Sequence, residues 1–132
     1  MENINKQERR DDRILIMEKL FSYDMMNDYV FLTADEYYSE FVTNTVNFIC
    51  SNLERIDEVI KNSLVKYTIS RLSFVDRAII RMATAEMMMG TAEAVVINEA
   101  LEIIKVYSDQ GDGSSVRFVN KVLDNISKNI KG

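Results

Sequence analysis

The sequence predicts an all-α protein, a single compact bundle of about five to seven helices. Three observations carry that expectation. Nearly half the residues are apolar (47%), and they recur at intervals of three and four, the spacing of one helix face. There are only four Gly and no Pro, too little punctuation for the tight turns of a sandwich or barrel. A length of 132 residues fits one domain over residues 1–132, large enough to bury a core without metal or disulfide staples.

The elements follow from caps and periodicity. Asn5-Lys6-Gln7-Glu8 has the form of a helix start, an Asn cap with Glu three residues on, and no breaker intervenes before about Met26. On this first helix Lys6, Arg9, Arg10 and Arg13 share one side, and Glu8, Asp11 and Asp12 share another. Ile14, Met17, Phe21 and Met25 make an apolar stripe, so the later turns should be buried while the first turns project. Thr33-Ala34-Asp35-Glu36 reads as a capping box opening a second helix. Its face would be Tyr37, Phe41, Thr45, Phe48 and Ile49. A break near Asn52 should then lead by a short turn into a third helix faced by Ile56, Val59, Ile60 and Leu64. Ser73 with Asp76 caps the next helix, which carries Val75, Ile79, Met82, Ala83 and Met87 and stops at Gly90. Val96 to Tyr107 and Val116 to Ile130 complete the set, joined by the flexible Ser108–Ser115 loop.

Composition excludes whole classes of function. His is absent, which removes the usual general base, the commonest transition-metal ligand and a member of most nucleophile triads. No catalytic residue, metal or cofactor is expected, and the protein should not be an enzyme. Cys50 is the sole cysteine; it lies in an apolar stretch and should fill core space in a reducing cytoplasm. The start of the chain is polar and no uncharged run is long enough to span a bilayer, so no membrane association is expected. A net charge of -5 argues against a general nucleic-acid binder, and any RNA site must be local.

Few residues stand out as sites. Asn98, Glu99 and Glu102 lack the His partners of a carboxylate metal site. Gly111-Asp112-Gly113 has neither the preceding strand nor the Lys of a phosphate loop and reads as a turn. Met82 reads as core, while Met88 and Met89 could sit on a partner surface or a homodimer patch. Tyr37, Tyr38 and Tyr67 offer faces for bases to stack on, but read more simply as core or rim tyrosines. Only Lys6, Arg9, Arg10 and Arg13 have the geometry to track a phosphate backbone, and the plain alternative for them is a solvated helix face.

Three blocks in the C-terminal half carry a resemblance. Val75-Asp76-Arg77-Ala78-Ile79-Ile80-Arg81-Met82-Ala83 is followed by Val96-Ile97-Asn98-Glu99-Ala100-Leu101-Glu102-Ile103-Ile104-Lys105 and then Phe118-Val119-Asn120-Lys121-Val122-Leu123-Asp124. In that order and spacing they closely resemble the NusB family of bacterial transcription antitermination factors. Arg9, Arg10 and Arg13 ahead of Leu20-Phe21-Ser22-Tyr23 resemble the family's arginine-rich entry and its Leu-Tyr pair. Physical roles accompany the blocks: Ala83 and Ala100 permit close helix contact, Phe118 and Leu123 fill core, and Asn98, Asn120 and Asp124 suit backbone hydrogen bonds at helix ends.

The resemblance implies an adaptor that binds boxA-type single-stranded RNA together with the ribosomal protein NusE, reaching the RNA polymerase elongation complex indirectly. It implies RNA contacts at Lys6, Arg9, Arg10 and Arg13, with Arg117 and Phe118 nearby, and a protein-partner face including Phe21 and Asp76. Asp11 and Asp12 stand where family members are basic or neutral, Ile14 where Glu is usual, and Lys121 where Gly is usual. Acidic groups within a Debye length of about 8 to 10 Å oppose phosphate contacts, so the isolated chain should bind RNA weakly and gain affinity from NusE. The alternative is a NusB-fold scaffold or homodimer whose RNA binding has decayed.

Overall fold

Helix α3, Phe74–Met88, is the axis of the molecule. Every residue from Ala78 to Met87 is buried, which the small side chains Ala78, Ala83, Thr84 and Ala85 allow by letting neighbouring helices approach closely. Around it pack α1 (Lys6–Met26), α2 (Glu40–Ser63), α4 (Glu93–Tyr107) and α5 (Ser114–Lys131), with short 3₁₀ turns at Tyr29–Leu32 and Ile69–Arg71. The computed structural model describes residues 5–35 and 37–131. Five α-helices and no strand among the described residues agree with the all-α bundle expected from composition.

Local signals at helix ends behave as read. Asn5 accepts from the Glu8 amide at 2.8 Å and donates to the Glu8 carboxylate at 3.1 Å, closing the expected box. Ser73 accepts from the Asp76 amide at 3.1 Å. α3 stops ahead of Gly90, whose φ of 100° suits a residue without Cβ. In the loop between α4 and α5, Asp109 accepts from the amides of Gly111 and Gly113, and Asp112 accepts from that of Ser114. The Gly-Asp-Gly segment is thus a turn feeding α5.

The start of α2 differs from expectation. Thr33 donates to the Val30 carbonyl and closes a 3₁₀ turn, and Asp35 accepts from the Tyr37 amide. Glu36 lies outside the described residues. The helix opens at Glu40 under a Ser39 cap that accepts from Val42, so Tyr37 lies outside it and is 88% exposed. Competing side-chain turns, each satisfying a local backbone group, displaced the start.

Asn52 marks a kink and not the expected turn. Its backbone leaves helical geometry (φ -130°, ψ 18°), while its side-chain amide donates to the Phe48 carbonyl at 2.9 Å. That bond occupies the carbonyl freed by the kink, so the two halves continue as one element. Two further expectations are corrected. Cys50 is exposed and not in the core. On α1 the buried line is Arg13, Ile16, Met17 and Leu20; Ile14 and Phe21 are half-buried, and Met25 is exposed. The actual stripe is turned toward α3, which puts an arginine in the core.

Of the methionines, Met82 and Met87 are buried, Met88 is half-buried and Met89 is exposed. Ala83, Ala100 and Leu123 are buried as expected, and Phe118 is half-buried. Asn98, Asn120 and Asp124, in contrast, are exposed positions inside helices, Asp124 pairing with Lys128 at 3.0 Å. The tie between α5 and the end of α2 comes instead from Asn125 to the Ser63 carbonyl and Asn129 to the Ser63 hydroxyl.

Candidate functional site

Burying α3 brings two charges into the core, and their neutralisation sets the geometry of α1. Glu86 is 1% exposed and receives both arms of Arg13, 5% exposed, at 2.8 Å each. Toward the start of α3 from Glu86, Arg77 and Arg81 face Asp24 near the other end of α1, at 3.2 and 2.9 Å. Arg81 also makes a two-pronged pair with Asp57 of α2 at 2.9 Å. Burial alone would lower the Arg81 pKa, but Asp57 and Asp24 outweigh it and hold the group charged. The polarity alternates along the α1–α3 contact, so a slipped register would oppose like charges.

Arg10 reaches a third carboxylate. It donates to both oxygens of Glu99 on α4, at 3.2 and 3.0 Å, and Arg13 lies 3.8 Å from the same group. The hydrogen bond from Arg10 depresses the Glu99 pKa; burial opposes this, and the charges of Arg10, Arg13 and Lys6 add to it. A depressed carboxylate contributes stability above its unfolded pKa of about 4.3 and loses it as pH falls through the folded value. Glu99→Gln removes this contribution, so its unfolding free energy, from urea denaturation followed by circular dichroism, is expected to be lower at neutral pH and to fall less steeply than that of the wild type below about pH 4.5.

Two cations of the α1 stripe are thus bound within the bundle, and two face outward. Arg13 is enclosed and Arg10 is clamped. Lys6 is exposed, and the Arg9 side chain retains 33% exposure. Arg9 lies 4.0 Å from Asp12, whose same oxygen accepts from Ser39 at 3.0 Å, and its guanidinium sits 4.1 Å from the centre of the Phe41 ring. Asn5, Lys6, Arg9 and Arg13 face Ala94, Val95, Asn98 and Glu99 across a cleft of about 610 Å³.

Arg117 and Phe118 do not join this group. They stand at the start of α5 beside the start of α3, where Asp76 accepts from Ser108 at 2.6 Å. Glu86, at the level of the α1 arginines, is ten positions further along α3, about 15 Å at the helical rise. At this second corner the structure joins Tyr67, one of the tyrosines with a face for bases, to Phe118 and to Arg71, which nothing in the sequence singled out. Tyr67, 48% exposed, packs on Phe118 with ring centroids 5.2 Å apart. The guanidinium of Arg71 lies 5.8 Å from the Tyr67 ring, and Arg117 is exposed, donating to the Asp112 carbonyl. The spacing of Tyr67 and Arg71, four apart around a short helical turn, is a weak signal that only their meeting with Phe118 makes legible.

Phe21 and Asp76 both lie at the starting end of α3, Phe21 through its contact with Phe74 and Asp76 in the first turn of the helix. Phe21 meets Phe74 edge to face at 6.0 Å, and Phe74 and Val106 are exposed close to this end of the bundle. Among the described residues no group of three or more His, Cys, Asp or Glu is placed to hold a metal ion. No described helix is long and apolar enough to cross a membrane.

These features define a class: an all-α bundle threaded by one buried helix, with cation-bearing clefts on its surface. The NusB family model matches residues 4–128, and the chain belongs to the NusB family. The transcription antitermination protein NusB of Bacillus cereus is 39% identical over 127 residues, covering 89% of this chain and 95% of that protein. A crystal structure of T. maritima NusB matches with a TM-score of 0.79 at 32% identity, covering 97% of this chain and 93% of the other. A crystal structure of antitermination factors NusB and NusE in complex with dsRNA shares the fold, with a TM-score of 0.76 at 23% identity over 94% of this chain and 98% of that one.

Proposed function

We propose that this protein is a cytoplasmic, non-catalytic transcription antitermination factor that binds boxA-type single-stranded RNA together with NusE and so promotes processive transcription of ribosomal RNA operons. RNA polymerase is reached only through those two ligands. The observation that carries the reading is the exposed Tyr67 packed on the half-buried Phe118, with the Arg71 guanidinium at the Tyr67 ring and Arg117 exposed one residue before Phe118. Rings of that kind take up the faces of unstacked bases, and neighbouring guanidinium groups take up the phosphates. Lys6 and Arg9 extend the cationic surface at the α1 end, while Arg10 and Arg13 act by positioning that end against α3 and α4. The partner face is the Phe21–Phe74 edge with Asp76, apolar and acidic in the way that suits a basic ribosomal protein.

Anisotropy titration of labelled boxA-type RNA, with and without equimolar NusE at two salt concentrations, tests this. With Lys6, Arg9, Arg71 and Arg117 as the cations in reach, about four phosphates and a log–log salt slope near about -3 are expected. Affinity should rise markedly with NusE, because each ligand then raises affinity for the other. One observation favours a second reading, a scaffold or homodimer without RNA binding: Met25, Met26, Tyr29 and Val30 are all exposed where α1 ends. NusE binding with no RNA binding under any condition would select it.

A further inference from the structure

Arg9 borders two cavities. On one side is the cleft shared with Lys6, Asn98 and Glu99. On the other is a cavity of about 310 Å³ between α1, the start of α2 and the end of α3, lined by Glu40, Asn44, Thr45 and Thr91 among others. That volume is at the lower end of small-ligand sites. We propose that the second cavity is a nucleobase subsite, in which one base of the bound RNA stacks on the Arg9 guanidinium and is read by Glu40 and Asn44. The inference rests on the RNA-binding reading and adds to it a position of base selection.

Arg9 is prepared for stacking. The centre of the Phe41 ring lies 4.1 Å from its guanidinium, and a third of the side chain remains exposed. Arg10 and Arg13, by contrast, are turned edge-on into carboxylates with two hydrogen bonds each. Asp12 is the one carboxylate in ion-pair range of Arg9 among the described residues, at the 4.0 Å limit. A planar cation stacked on a ring can present its other face to a base, whereas an ammonium cannot.

The polar groups on the two sides of Arg9 differ in sign. Lys6 stands on the α4 side, where a phosphate is favoured. On the α2 side Glu40 and Asn44 are exposed and four residues apart on one helix face. Thr45 is fully buried there with a hydroxyl that has no hydrogen-bond partner among the described residues. Glu86 also lines this cavity, but both its oxygens are taken by Arg13. A carboxylate repels phosphate and accepts from amino groups, so this side fits a base edge bearing an exocyclic amine, as on adenine, cytosine or guanine, over uracil, whose one N–H is flanked by two carbonyl oxygens that a carboxylate repels.

The test is anisotropy titration of boxA-type RNA with NusE present, using wild type, Arg9→Lys, Asn44→Ala and Glu40→Gln, with each RNA position replaced in turn by uracil. Asn44 and Glu40 are exposed, so folding is not at stake. Arg9→Lys should lose at least about fivefold in affinity with the salt slope unchanged, the signature of lost stacking with retained charge. Wild type should discriminate against uracil at one position, and Asn44→Ala and Glu40→Gln should abolish that discrimination. Wild-type binding that Arg9→Lys leaves within about twofold, a change no larger than ordinary context effects, would overturn the subsite while leaving RNA binding in place. An undiminished preference in both α2 variants would overturn it equally. Failure of wild type to bind any RNA would remove both readings together.

Discussion

Glu86→Ala is expected to destabilise the protein by about 3–5 kcal/mol, the cost of leaving a buried charge without its partner. Arg13 is enclosed at 5% exposure and gives both arms to Glu86. Its remaining carboxylate, Glu99, lies 3.8 Å away and already takes both arms of Arg10. Urea denaturation read by circular dichroism measures the loss. Replacing the pair together, Arg13→Met with Glu86→Leu, should recover most of it, because apolar residues of similar volume need no desolvated partner. If Glu86→Ala lost less than about 1 kcal/mol, the level of an exposed pair, Arg13 would have to be solvated. The same geometry bears on charge reversal: Arg13→Glu would set a carboxylate against Glu86 and Glu99 and unfold the α1 end, so RNA binding is better probed at Lys6 and Arg9.

Tyr67→Ala is expected to weaken RNA binding by about 1–3 kcal/mol, the range measured for removing one base-stacking ring. Tyr67 is 48% exposed and stands over Phe118, so its truncation removes one wall of the platform with little core behind it. The salt slope should not change, since no cation is lost. Arg71→Gln, in contrast, should reduce the slope by about 0.7 while affecting every RNA sequence alike. A Tyr67→Ala protein that binds boxA-type RNA as wild type does would place the RNA elsewhere and leave Phe21, Asp76 and the exposed end of α1 as the working surfaces. NusE binding should survive the change, because Phe21 and Phe74 do not touch Tyr67 among the aromatic pairs of the bundle.

Expectations drawn from short-range signals and those requiring a partner fared differently. Asn5 and Ser73 were legible as caps because a cap bonds an amide three residues away. The capping box at Thr33 went astray for a related reason. Thr33, Asp35 and Ser39 all offer turn chemistry within one short stretch, and the bonds to Val30, Tyr37 and Val42 divide them among three different structures. Cys50 was misplaced because an apolar neighbourhood in sequence covers all sides of a helix, and α2 turns this residue outward.

The candidate site shows the same division more sharply. The basic stripe of α1 was legible as a set of like residues at helical spacing, yet the stripe does not act as one unit. Arg13 binds Glu86, 73 residues away, and Arg10 binds Glu99, 89 residues away. Arg117 and Phe118, expected near the stripe, are carried by α5 to the opposite end of α3 and meet Tyr67 there.

The sequence by itself determined that the chain is helical, where most helices begin and stop, and which family it belongs to, because propensity, capping and motif order are properties of neighbouring residues. Only the tertiary structure decided which arginines serve the bundle and which face outward. The partner of a buried charge is chosen by the packing of α1, α3 and α4, and desolvation makes that pairing obligatory inside the protein and optional at its surface.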